Sequence, residues 1–139
     1  MLPHYVAGPV FNPVPAAYLT HQKMNDIFVG AETDAPFWIG TAEFISDTRD
    51  SAAIHVAALL STETNGERLF AAEQSFSGNK MLAVWRKAFP ERKFRPDFDG
   101  PHVEVTLDAS KSTKLLKEME GRSWYTLEQT VLANVANLV

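Results

Sequence analysis

The run Phe44-Ile45-Ser46-Asp47-Thr48-Arg49-Asp50-Ser51-Ala52-Ala53-Ile54-His55-Val56-Ala57-Ala58-Leu59 decides the fold class of this 139-residue chain. Phe44 and Ile45 belong to a short apolar stretch that predicts a strand over residues 42–46. Asp47 stands where a helix N-cap belongs, and Asp50 adds negative charge to the first turn. From Ala52 to Leu60 almost nothing polar interrupts the helical spacing, so this helix is expected to lie buried between layers. A strand passing through a polar turn into an apolar helix is a building unit of α/β architecture.

Toward the N-terminus, His4 to Ala7 reads as a short strand, followed by a loop punctuated by Pro9, Pro13 and Pro15. A helix over about 17–28 places Met24, Ile27 and Phe28 on one face. Residues 30–40 set Pro36, Phe37 and Trp38 between turn formers, a loop able to line a pocket. Toward the C-terminus, Asn65-Gly66 predicts a turn and 68–72 a strand with Leu69 and Phe70 inside. A helix over about 78–89 aligns Met81, Leu82, Trp85, Ala88 and Phe89, and stops at Pro90. Val103 and Val105 alternate with polar residues as in an edge strand over 102–107. Asp108 is expected to cap a helix that carries Leu115 and Leu116 and ends near Gly121. Thr126 with Gln129 predicts a capping box opening a last helix, with Leu127, Val131, Val135 and Leu138 inside. Short strands alternate with about five helices, and the expected fold class is α/β in a single domain spanning 1–139.

A content of 45% hydrophobic and 22% charged residues suits one modest core at this length and not two. The net charge of -4 offers no electrostatic footprint for nucleic acid or for an anionic membrane, so a small molecule or another protein is the expected partner. The absence of cysteine rules out disulfides, thiolate metal sites and a cysteine nucleophile, and suits a reducing compartment. No apolar run is long enough to span a bilayer and the first residues lack the pattern of a signal peptide, so the expected location is cytoplasmic.

Isolated chemical motifs are few. His55 shares an apolar helix face with Ala52, Val56 and Leu59 and reads as a packed, hydrogen-bonded core histidine. His4, His21 and His102 stand in no HxH, HxxxH or HExxH relation, so no metal site is expected. Asp47, Arg49 and Asp50 read as a cap with an ion pair in preference to an acid/base cluster. Arg86, Lys87, Arg92, Lys93 and Arg95 stand near a helix C-terminus and read as a solvated face in preference to an anion site. GxSxG, P-loop and EF-hand patterns are absent.

The opening run resembles a signature close to VDVRDVAxAHVxAL of extended short-chain dehydrogenases/reductases, especially cinnamoyl-CoA, dihydroflavonol and fungal aldehyde/ketone reductases. Asp47, Arg49, Asp50, Ala52, His55, Val56, Ala58 and Leu59 stand at matching spacings. Further matches follow in order. Residues 2–9 resemble the strand end NPxxVxGP, with Leu2 replacing Asn, and Gly66-Glu67-Arg68-Leu69-Phe70 resembles GERFL. Trp85 to Pro90 resembles ILRKLFP, Asp108 to Lys111 with Leu115-Leu116 resembles SKAxxLLG, and Leu127 to Val131 resembles LEETV. Each match is weak alone, and the ordered set covers nearly the whole chain.

The resemblance implies a truncated Rossmann-like fold: the C-terminal, substrate-binding part of such an enzyme without its N-terminal nucleotide-binding half. The dinucleotide fingerprint needs clustered glycines between a strand and a helix, whereas the seven glycines here lie at least ten residues apart. The family's YxxxK pair has no match either, because Tyr5, Tyr18 and Tyr125 are followed four residues on by Pro9, Gln22 and Gln129. The isolated chain is therefore expected to bind no cofactor and to transfer no hydride. NADP(H) enters only through the resemblance, which would place Pro3 and the Val6 backbone against its nicotinamide if a companion supplied the missing half. By the same resemblance Val10, Phe11, Tyr18, Phe37 and Trp38 fall in substrate-lining regions.

Three functions stay open at this point. One is the substrate-binding portion of an NAD(P)H-dependent aldehyde/ketone reductase, shortened at the level of gene, transcript or expression. Another is a stand-alone, cofactor-independent isomerase, cyclase or dehydratase of a small metabolite, with His4, Tyr5, His21 and Asp47 as acid/base candidates chosen for nearness to the presumed cleft. The remaining one is a non-catalytic interaction module. Without a front sheet, edges near Val6 and Leu69 and the apolar helix lose cover, so a homodimer or a companion polypeptide is expected.

Overall fold

The computed structural model describes residues 5–10, 19–31, 34, 39, 44–99 and 106–139. Its sheet consists of β1 (Tyr5–Ala7), β2 (Phe44–Asp47) and β3 (Gln74–Ser75), with β2 in the middle. β1 runs parallel to β2, with Tyr5 opposite Ile45 and Ala7 opposite Asp47. β3 closes the other side antiparallel, with Phe44 opposite Ser75. Five α-helices lie among the described residues: α1 (Leu19–Val29), α2 (Thr48–Leu60), α3 (Gly78–Ala88), α4 (Ser110–Glu120) and α5 (Leu127–Val135). The α/β class, the short strands and the helix number are those expected from the sequence.

Two apolar clusters hold these elements. In the larger, Met24, Ile27 and Phe28 of α1, Met81, Leu82 and Trp85 of α3, and Val131 and Val135 of α5 meet Tyr5, Ala7 and Ile45 of the sheet. Phe28 presents its ring edge-on to Trp85 at 5.2 Å and to Phe89 at 5.3 Å, and Phe94 stacks on Trp85 at 5.9 Å. Such aromatic pairs contribute beyond their buried area. The smaller cluster joins Ala53, Ile54 and Ala57 of α2 to Leu115 and Leu116 of α4 through Leu69 and Ala71.

Several expectations are corrected. The strand expected over 68–72 is absent as such. Leu69 is buried, but the pairing residues are Gln74 and Ser75, because the Gln74 side chain fastens that segment to the start of α5 through Tyr125 O at 2.6 Å and Leu127 N at 2.8 Å. The α2 helix is covered on one side only. Ala53, Ile54 and Ala57 are buried, whereas Leu59 is 86% and Leu60 74% exposed, so apolar composition overstated its burial. His55 likewise is exposed and not a core residue, its Nδ1–H donating to Ser51 O at 2.7 Å. Ala88 is exposed beside the stripe of α3, and Leu138 is partly exposed beyond the inner face of α5. The cap of α4 is Ala109, with Asp108 reaching past it to Ser110 N at 3.1 Å. Residues 106–107 are not in a strand, and the rest of the expected edge strand lies outside the described residues.

Gly78 opens α3 at a point with no room for a side chain. A Cβ there would collide with the Phe98 ring and come within 3.0 Å of Ile39 Cγ2. Asn79 restrains that ring's retreat by accepting from Phe98 N at 2.7 Å and donating to Phe98 O at 3.2 Å. Gly78→Ala should therefore cost about 1–3 kcal/mol through overpacking. Urea unfolding checks this, and an unchanged midpoint would mean that the 94–99 segment simply yields.

Candidate functional site at the exit of the parallel strands

In open α/β sheets ligands dock outside the carboxyl ends of parallel strands, and here β1 and β2 end side by side at Ala7 and Asp47. Asp47 is the N-cap of α2 by virtue of its short carboxylate, which accepts from Arg49 N at 2.8 Å. The same carboxylate takes a bidentate pair from Arg49 Nε and Nη2, both at 2.8 Å, and a hydrogen bond from Thr130 Oγ1 at 2.9 Å. The cap-and-ion-pair reading of Asp47 and Arg49 holds. Gly8 follows β1 at φ 133°, and a Cβ there would press on the Asp47 carboxylate at 3.2 Å, so the turn leaves no room for a larger residue.

Tyr5 lies two residues before the end of β1, its ring packed in the core against Phe76. Its hydroxyl donates to Thr20 O at 2.6 Å, Thr20 Oγ1 returns a bond to Val6 O at 2.8 Å, and burial raises the Tyr5 pKa above the usual phenol range. Its proton is therefore held firmly. His21 Nδ1 lies 3.0 Å from Asn134 Oδ1, and Asn25 Nδ2 donates to its Nε2 at 2.9 Å. Asn134 Oδ1 also receives Gly8 N at 3.3 Å. The structure thus brings Val6, His21 and Asp47 to one strand exit with Tyr5 packed in the core behind it, and the Tyr5 hydroxyl, the Val6 carbonyl, both His21 nitrogens and the Asp47 carboxylate each have a protein partner. Val10 lies just beyond, its carbonyl accepting from Asn137 Nδ2 at 3.4 Å. Pro3, His4, Phe11, Tyr18, Phe37 and Trp38 lie outside the described residues.

Asn134, Thr130 and Asn25 were not singled out from the sequence. A signal for two of them was present: Thr130 and Asn134 are an i, i+4 polar pair beside Val131 and Val135, and both are buried. A second buried carboxylate, Asp50, accepts from Arg122 Nη1 at 2.5 Å and Tyr125 N at 2.9 Å. Burial raises its pKa, with the Arg122 and Tyr125 hydrogen bonds pulling the other way. The Arg49 and Arg122 guanidinium carbons lie 3.4 and 4.3 Å from the Tyr125 ring centre.

Elsewhere, four basic residues in and after the last turn of α3 have partners. Arg86 pairs with Asp97 at 2.6 Å, Lys87 with Glu128 at 3.1 Å, and Arg92 and Arg95 lie over Phe28 and Phe98. An open concavity of about 590 Å³ is lined by residues that include Leu107, Ser110, Thr113 and Lys117, and shares none with the strand exit. Among the described residues no three His, Asp or Glu side chains gather as a metal ligand set, and no helix is long and apolar enough to cross a membrane.

No family model matches the chain. Aldehyde reductase 2 of Sporidiobolus salmonicolor is 24% identical over 132 residues, which are 94% of this chain and 38% of the relative. A ketoreductase of Aspergillus novofumigatus is 27% identical over 139 residues, 96% of this chain and 39% of the relative. The solved yeast methylglyoxal/isovaleraldehyde reductase complexed with NADPH superposes with a TM-score of 0.65 at 24% identity, over 96% of this chain and 43% of that one. This chain is a homologue of the aldehyde/ketone reductases of the extended short-chain dehydrogenase/reductase family. It corresponds to the C-terminal part of these reductases, and spans about 40% of their length. Vestitone reductase from alfalfa shares the fold at a TM-score of 0.66 and 15% identity, over 97% of this chain.

Proposed function

We propose that the chain is the substrate-binding portion of an NAD(P)H-dependent carbonyl reductase, and that it transfers no hydride unless other polypeptide supplies the nucleotide fingerprint and the tyrosine-lysine pair. The observation that carries this reading is that homology to aldehyde and ketone reductases runs through nearly all of this chain. The residues present do not fit a whole nicotinamide nucleotide. The glycines are dispersed, no phosphate cradle opens a helix among the described residues, and the Val6 carbonyl already accepts from Thr20. The nucleotide, which supplies the hydride when bound, is thus held chiefly by the other polypeptide.

This chain's part is to border the reacting groups. The Pro3 and Val6 backbone would face the nicotinamide, and Val10 with Phe11, Tyr18, Phe37 and Trp38 would enclose the carbonyl substrate and exclude water. The exposed stripe Val56, Leu59 and Leu60 of α2 offers that other polypeptide, or a second copy of this chain, an apolar contact. In the cofactor-independent reading, Tyr5, His21 and Asp47 would have to release their present partners to act as acids or bases. Metabolite turnover without nucleotide, lost in alanine variants of these residues, is what would support that reading.

Two preparations test the proposal: the chain alone, and the chain fused behind the N-terminal portion of a homologous aldehyde reductase. The expected result is no saturable NADPH binding by the first and aldehyde-dependent NADPH oxidation by the second. Tight NADPH binding by the chain alone would overturn it.

A further inference from the structure

His21, Asn25 and Asn134 form a closed hydrogen-bonded ring joining α1 to α5. His21 Nδ1–H donates to Asn134 Oδ1 at 3.0 Å, Asn134 Nδ2 donates to Asn25 Oδ1 at 3.2 Å, and Asn25 Nδ2 donates to His21 Nε2 at 2.9 Å. Gly8 N, donating to the same Asn134 oxygen at 3.3 Å, sets the direction of the ring. Turning Asn134 over would set its NH2 against the Gly8 N–H. The ring therefore admits one histidine state, neutral and protonated on Nδ1.

We infer that this ring is a proton-sensitive latch, which ties Asn25 of α1 to Asn134 of α5 while His21 is neutral and releases that tie when His21 takes a second proton. A proton on Nε2 would point at the Asn25 NH2. Turning Asn25 over satisfies that proton, but then brings its NH2 against the NH2 of Asn134, whose orientation Gly8 has fixed. No arrangement of the two amides satisfies the charged ring, and Asn134, 1% exposed, cannot exchange its partner for bulk water. Among the described residues, the charged groups on the elements packed here are few. Asp47 reaches Gly8 from β2 and is paired with Arg49, and Glu128 on α5 is paired with Lys87. On α1, Asp26 accepts from Gln22 and Lys23 pairs with Asp34. Tyr5 on β1 keeps its proton. None of these donates or accepts a hydrogen bond with the imidazole. The contact that opens is therefore the one between Asn25 and Asn134, which braces the side chain that holds the Gly8 turn.

The test is protection of the Asn134 side-chain NH2 against hydrogen exchange, corrected for the intrinsic rate, compared between about pH 8 and about pH 5, where histidine changes charge. In the unaltered chain protection should fall by about tenfold, the cost of one buried bond lost. Asn25→Asp supplies the variant that decides. Aspartate accepts from both neighbours, so the charged imidazole closes the ring, and protection should rise on acidification. ¹⁵N-imidazole spectra of the unaltered chain should show Nδ1 protonated and Nε2 bare at the higher pH. An Nε2–H tautomer there, no loss of protection in the unaltered chain, or the same downward trend in Asn25→Asp would each overturn the latch. Should Asn25→Asp not fold, the tautomer and the protection profile of the unaltered chain still decide.

Discussion

Trp85→Ala should lower the unfolding free energy by about 4 kcal/mol, the largest effect expected of any single side chain in the fold. Trp85 is fully buried, lies where α3 faces α5, and is packed by Phe28 and Phe94. Its Nε1–H donates to Val131 O at 3.3 Å, so truncation empties a large volume and also strips a buried carbonyl of a partner. For a chain of this size the loss corresponds to roughly 10–20 °C in melting temperature. Thermal and urea unfolding followed by circular dichroism measure it. Leu59→Ala is the matched control: Leu59 is 86% exposed, and its truncation should stay within about 0.5 kcal/mol. A Trp85→Ala loss below about 1.5 kcal/mol would mean that α5 does not close over α3 as described.

The second large effect is electrostatic. Arg122→Ala leaves Asp50, 1% exposed, with the Tyr125 amide as its donor and only the Arg49 charge, not hydrogen-bonded to it, in support, and should cost about 3 kcal/mol near neutral pH. The pH dependence has a definite sign. Burial already places the folded-state pKa of Asp50 above its unfolded value, so its contribution to stability is fully present below the unfolded pKa and is lost as pH rises through the folded one. Removing Arg122 raises the folded value further. The gap between variant and unaltered chain should therefore be widest at neutral pH and narrow in acid as Asp50 takes up its proton. Urea unfolding of both proteins across that range gives the gap directly, and a gap independent of pH would sink the assignment. Part of the loss, the Arg122 contacts with Glu120 and Tyr125, persists in acid and sets the floor.

What was legible in the sequence was local. The Asp47 cap depends on residues 47–49 alone, and the Thr126–Gln129 capping box on four residues, so both appear as expected. The stripe of α3 is legible through Met81, Leu82 and Trp85 because three turns of periodicity carry it. Position 74 was not legible: Gln74 pairs with Ile45 only because its amide reaches Tyr125 and Leu127, some fifty residues on. Asp50 gave no hint of Arg122, 72 residues away, or His21 of Asn134, 113 residues away. The apolar α2 misled in the other direction, since composition reports what a helix is able to bury and not how many layers are present to bury it. The aromatic loop and the segment after Val10 bear most of the proposed substrate contacts, and nearly all of those residues fall outside the described ones.

The hydrogen bond from Gly8 to Asn134 spans 126 residues, and that from Thr130 to Asp47 spans 83. Both early strands thus depend on the last long helix for their polar partners. During synthesis at the ribosome, β1 and β2 can pair soon after residue 47 emerges, yet the Gly8 amide and one oxygen of Asp47 go without these partners until α5 has been made. Folding of this chain is in that sense closed late at its centre: the turn after β1 waits for Asn134, made 126 residues later.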